Sequence, residues 1–324
     1  MRTGIPACAA PVAAAALLAT AGCGPTDPVI DVDFPFYFLQ DIVVSGIPAH
    51  GGFLKAGGDG IASADSLYFV DFQDGYLLGI AGTEGYPIED VGATAEGGYG
   101  LALCGDLLFH VSDGTYEEHE PTVLPDYGVF LLTHPTSGSG HLYVVGAGGS
   151  ITTVSSVSWD VVGSVQVAGL TGPEAAAITA DGTAIFVADD YDNSVKRIST
   201  SNPATVTAEC AVPGGVADLY AGGGDLIYVA PDSIAAVWTI DAGTGQHYST
   251  YALSGPAVSV AVTPDDRHIY AGLEGGTIVV IDAQTGEVEA SATEYGTAWD
   301  IAVDGSGQRA ILCTSMGRLI VLER

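Results

Sequence analysis

Val262-Thr263-Pro264-Asp265-Asp266-Arg267-His268-Ile269-Tyr270 and, a little further on, Ile281-Asp282-Ala283-Gln284-Thr285-Gly286-Glu287-Val288 compress a whole structural unit into one stretch. Short apolar runs alternate there with clusters of Gly, Asp and Pro, the pattern of strands separated by tight turns. Residues 258–262 read as a first strand, Thr263-Pro264-Asp265-Asp266 as a reversal, and 268–271 as a second strand. Glu274-Gly275-Gly276 turns the chain into a third strand at 277–281, and Asp282 to Gly286 leads to a fourth at 287–292. Four strands in about 42 residues is the size of one blade of a β-propeller.

The unit recurs. Gly224-Asp225-Leu226-Ile227-Tyr228-Val229 aligns with Arg267-His268-Ile269-Tyr270-Ala271, and this brings Ile240-Asp241-Ala242-Gly243-Thr244-Gly245 onto Ile281-Asp282-Ala283-Gln284-Thr285-Gly286. The marker of each unit is an apolar pair ending in an aromatic, expected on the second strand with its ring between neighbouring sheets. It appears as Leu67-Tyr68, Leu108-Phe109, Leu142-Tyr143, Ile185-Phe186, Ile227-Tyr228, Ile269-Tyr270 and, with the ring replaced, Ile311-Leu312. The spacing holds near 42 residues except before Leu142, where it falls to about 34 and marks the second unit as shortened. Seven units follow, and the expected architecture is an all-β, seven-bladed propeller of four-stranded antiparallel blades. The last unit supplies only three strands, at 299–303, 310–313 and 318–322. The β-prone run Asp33-Phe34-Pro35-Phe36-Tyr37-Phe38-Leu39 to Val44 is expected to fill the open edge as the closing N-terminal strand.

The stretch from Val262 to Val288 resembles the YVTN-type propeller repeat of bacterial surface and periplasmic proteins and archaeal surface-layer proteins. Ile185-Phe186-Val187-Ala188-Asp189 and Ile227-Tyr228-Val229-Ala230 follow it less fully, and Pro231 stands where that repeat has Asn. The similarity covers about residues 130 to 324 and implies the propeller fold, while members of the family have several activities.

Residues 1–22 read as an export signal: Arg2 is followed by an apolar stretch from Val12 to Ala19 and then by small residues. Thr20-Ala21-Gly22-Cys23 resembles a bacterial lipobox, which implies cleavage before Cys23 and lipidation of that cysteine. Residues 23–29 then form a tether and 30–324 the propeller. The expected location is the bacterial cell envelope, with membrane contact through the lipid anchor alone.

Composition narrows the partners. Thirty-nine acidic residues against eight basic ones give a net charge of −31, which repels phosphate backbones and excludes nucleic acid. Cys104, Cys210 and Cys313 each sit in or beside an apolar run and read as buried hydrophobes. The seven histidines show no metal-binding spacing, and no nucleophile motif or phosphate loop is present. No catalytic residue is assigned. Asp189, Asp190 and Asp192 make the densest oxygen cluster, so calcium is the one cofactor considered, although the later ligands of a calcium loop are missing. Trp299 and Asp300 open the innermost strand of the last blade, where loops ring the channel mouth, and are the candidate ligand-binding pair. The expected function is that of a monomeric, non-catalytic module binding an envelope protein, peptide or glycan. The alternative is a propeller hydrolase of the lactonase kind, or a quinoprotein-like enzyme, with a metal or cofactor in the central funnel.

Overall fold

The computed structural model describes residues 37–43, 50–53, 59–64, 66–71, 76–83, 85–95, 97–115, 117–135, 139–293 and 295–323. They contain twenty-eight strands and no helix, arranged as seven four-stranded antiparallel sheets. Blade I comprises Gly51–Phe53, Asp59–Ser63, Leu67–Asp71 and Tyr76–Ala81, and blade II Asp90–Ala93, Tyr99–Cys104, Leu107–Ser112 and Thr122–Val123. Blade III runs from Gly128–Thr133 through His141–Gly146 and Ser150–Ser155 to Val161–Gln166. Blades IV, V and VI begin with Pro173–Ile178, Val216–Ala221 and Ala257–Val262. The first strand of each blade lies against the first strand of the next, and the cycle closes from Ala298–Val303 in blade VII back to Gly51–Phe53. The fold is therefore a closed ring of seven blades around an axial channel.

The two middle strands of each blade are sandwiched between neighbouring sheets and so read as continuous apolar runs rather than alternating ones. Ala184–Asp189 and His268–Leu273 are buried at every position, whereas the outermost strand Val161–Gln166 is exposed almost throughout. Tyr228, Tyr270, Phe69 and Phe186 are fully enclosed between sheets. Each such side chain contributes about 1.5–3 kcal/mol by leaving water.

One sequence expectation is corrected. The marker pair lies on the second strand in blades III to VII, but Leu67-Tyr68 and Leu108-Phe109 lie on the third strands of blades I and II. Second and third strands are equally buried there, so an apolar pair with a ring suits either and the marker cannot tell them apart. The short spacing before Leu142 arises because the marker shifts strands, and it does not measure the length of blade II. What is short in blade II is its outermost strand, the two residues Thr122–Val123.

The closing strand is present. Tyr37–Val43 pairs antiparallel with Arg318–Glu323, from Tyr37 opposite Glu323 to Val43 opposite Arg318, and completes blade VII. The rest of the expected run, Asp33 to Phe36 and Val44, lies outside the described residues, as do the signal segment, the tether and Cys23. Cys104, Cys210 and Cys313 are free and buried, and burial pushes the Cys104 thiol up to about 12, which leaves it unreactive.

Candidate functional site

A repeated backbone irregularity builds the channel wall. In blades III to VII the first strand slips register after its first residue, as between Val216 and Asp218 and between Ala298 and Asp300. The bulge re-aims the following residue toward the axis. In two of these blades that residue is Asp, and Asp90 makes the corresponding contact from blade II, whose first strand pairs without such a slip. Asp90 accepts from its neighbour Val91 N (2.7 Å) and from Leu131 N in blade III (2.7 Å). Asp218 accepts from Leu219 N (2.7 Å) and from Val260 N in blade VI (2.8 Å). Asp300 accepts from Gly51 N in blade I (2.8 Å), so the seam between the last and first blades is clipped as well as strand-paired. Gly51 suits this crossing, since a Cβ there would come within 3.1 Å of Cys313 Sγ.

These contacts bring Asp90, Asp218 and Asp300 to one level of the channel together with His50. His50 Nδ1 stands 3.8 Å from Asp90 Oδ1 and 3.9 Å from Asp300 Oδ2. Tyr220 follows Asp218 down the same strand, and its hydroxyl is pushed up to about 12 by burial and by the charges of Asp300 and Asp218. Trp299, the bulge residue beside Asp300, is 52% exposed at the mouth. Glu174 is the bulge residue of blade IV, and its carboxyl is raised by burial and by the charges of Asp190 and Asp232.

Burial raises the three channel acids above the ordinary carboxylate range. It lifts Asp90 to about 6, opposed by His50 and the two amides and assisted by Asp300. Asp218 lies well above its ordinary value through burial and the charges of Asp300 and Asp90, and Asp300 is raised by burial against the pull of His50. Because the folded carboxyls hold protons more tightly than the unfolded chain, they favour folding fully below about pH 4. That contribution is lost as pH rises through about 6 for Asp90. The surface carboxylates Asp181, Asp241, Asp265 and Asp282 are lowered, chiefly by bonds to neighbouring hydroxyls and amides, and give up their contribution only in stronger acid. Thermal stability is therefore expected to increase on going from pH 7.5 to 5, and the increase should shrink in Asp218→Asn. Melting curves across that range test this, and a flat or falling profile would contradict the assignment.

The candidate residues separate into two places. Asp300 joins Asp90, Asp218 and His50 in the channel, with Trp299 at its rim. Asp189 and Asp192 instead share one internal cation, Lys196, whose Nζ lies 2.6 and 2.7 Å from their carboxylates and also donates to Gly169 O. Asp189 further accepts from the amides of Thr171, Gly172 and Tyr191, while Asp190 is exposed nearby. Among the described residues, no three His, Cys, Asp or Glu side chains are placed to share a metal ion. His50, Asp90 and Asp218 were missed in the sequence. The signal that could have found the two aspartates is an Asp before an apolar residue at the same place in the first strand of several units.

No protein-family model matches the chain. No curated protein matches it either. Solved structures do match: hydrazine synthase of Kuenenia stuttgartiensis superposes with a TM-score of 0.73 over 87% of this chain and 97% of that one, at 14% identity. At that identity the likeness concerns the fold alone.

Proposed function

We propose that the chain is an exported, lipid-anchored propeller that acts at the cell envelope as a non-catalytic binding module, and that its channel mouth takes a basic segment of an envelope protein or peptide. The observation that carries this reading is the convergence of Asp90, Asp218 and Asp300 on one level of the channel, beneath the exposed indole of Trp299. An entering Lys or Arg side chain favours the ionised form of the raised carboxyls, and the strongly anionic protein draws such side chains to the mouth, so binding should strengthen as pH rises. The indole adds a cation–π contact worth about 0.5–2 kcal/mol. The backbone amides already hold the carboxylates in place, so little reorganisation accompanies binding. Anchoring rests on the lipobox-like Thr20-Ala21-Gly22-Cys23.

An oligo-arginine peptide titrated into the soluble body is expected to bind in a salt-dependent manner. Trp299→Ala should weaken it about threefold to thirtyfold with an unchanged melting temperature, and Cys23→Ser should release the full chain from the membrane fraction. Equal binding by Trp299→Ala and Glu174→Gln would remove the channel mouth from the reading, and continued membrane retention of Cys23→Ser would remove the anchor. A second reading, a lactonase-like hydrolase or quinoprotein-like enzyme, is favoured by the approach of His50 to two carboxylates. Turnover of a lactone panel that Asp300→Asn abolishes would put it first.

A further inference from the structure

A second site lies on the opposite side of the ring. In an antiparallel blade, the turn between third and fourth strands falls at the end away from the start of the first strand, where the channel mouth is. In blade III that turn is Ser156 to Asp160, and it carries Trp159 across to blade II. Trp159 adopts φ 63°, a left-handed conformation that a bulky residue takes only when its surroundings enforce it. The enforcing contacts are Trp159 N to Ser155 O (2.9 Å) and the Thr122 hydroxyl to Trp159 O (2.7 Å).

The indole then stacks on His110, 3.9 Å between ring centres and 9° from parallel, and His119 stacks on the far side of His110 at 5.2 Å and 5°. Tyr99 meets the three rings edge-on at 5.1, 6.1 and 5.8 Å, so it stands beside the column and closes neither end. At the column's Trp159 end is a cavity of about 420 Å³ walled by Pro121, Val123 and Val161 and carrying two exposed carboxylates, Glu120 and Asp160.

We propose that this groove is a binding site for an organic cation, either a quaternary ammonium group or a guanidinium side chain, seated on the indole of Trp159 and neutralised by Glu120 and Asp160. The aromatic face attracts a cation through its quadrupole, and weakly hydrated cations suit a partly apolar wall better than Na⁺ does. Burial holds His110 at about 4, helped by His119, so the ring behind the indole is neutral at physiological pH and does not repel the ligand. Its Nδ1 has no hydrogen-bond partner in the structure, in keeping with an uncharged ring serving as backing.

Calorimetric titration of the soluble body with tetramethylammonium and, separately, with N-acetyl-arginine amide, each against NaCl at equal ionic strength, tests the site. Saturable binding of at least one probe is expected. Tighter binding of the first identifies a small quaternary ligand, and tighter binding of the second a partner's arginine. Glu120→Gln/Asp160→Asn should weaken either probe severalfold without changing the melting temperature, Trp159→Phe less than Trp159→Leu, and Trp299→Ala not at all. The last variant separates this site from the channel mouth. Binding that does not saturate, that survives the double carboxylate change, or that occurs equally with a neutral disaccharide would overturn the proposal.

Discussion

Removing residues 37–43 is expected to yield a protein that melts lower and self-associates. Arg318–Glu323 would then become the edge of blade VII, although Leu319, Ile320, Val321 and Leu322 are essentially inaccessible to water in the intact ring. Each cross-strand pair in such a ladder contributes about 0.2–1 kcal/mol. Losing the strand therefore costs a few kcal/mol, and the melting temperature should drop by at least about 5 °C. The uncovered backbone of Arg318–Glu323 is a ready template for another chain. Differential scanning calorimetry and sedimentation measure the two effects, and a synthetic peptide of residues 37–43 added in trans should reverse both. A truncated protein that stayed monomeric at the original melting temperature would show that Asp300 and Gly51 close the ring unaided.

Lys196→Met is the second large effect. Lys196 is 2% exposed and Asp189 1%, so losing the ammonium leaves a carboxylate without its counter-charge in the interior of blade IV. Breaking one side of such a pair costs about 3–5 kcal/mol, or on the order of 10 °C in melting temperature. Burial opposes both charges, but their mutual hydrogen bond and the amides on Asp189 outweigh it, leaving Asp189 below and Lys196 above their ordinary values. The contribution of Asp189 is lost only as pH falls through its lowered value, and that of Lys196 only as pH rises through its raised one, so the pair acts across the whole neutral range. Asp189→Asn/Lys196→Met should recover part of the loss, since Asn removes the unpaired charge and its one oxygen can still accept from the amides of Gly172 and Tyr191. A double variant no more stable than Lys196→Met alone would locate the cost in the lysine's packing rather than in the unpaired charge.

The blade in residues 257–292 was legible almost strand for strand, because Pro264, Asp266, Gly276 and Gly286 punctuate it where the backbone must turn. Closure was legible too, from a unit one strand short and an unassigned β-prone run. The strand assignment of Leu67-Tyr68 and Leu108-Phe109 was not, since two equally buried strands leave the same apolar trace. The channel was half legible: Trp299 and Asp300 stand out by position. Asp90 and Asp218 take their meaning from amides in the next blade, at Leu131 and Val260, which no local pattern reveals. The arrangement of the aspartates at 189 and 192 was hidden for a related reason, since both carboxylates bond a side chain, Lys196, on the adjacent strand. Trp159 was one of three scattered tryptophans until its neighbours His110 and His119 could be placed beside it.

The pairing of Tyr37–Val43 with Arg318–Glu323 also governs how the molecule comes to fold. Its partners are separated by about 280 residues, the longest loop in the molecule to close. Loop-closure entropy grows only slowly with length, so the cost is modest once the other blades have formed and brought the two ends together. It is prohibitive before that, when the intervening chain is loose. Blades III to VI, whose strands pair within one hairpin of each other, can assemble early. The seam is therefore expected to form last, converting locally paired blades into one closed body, and to be the first place that body opens.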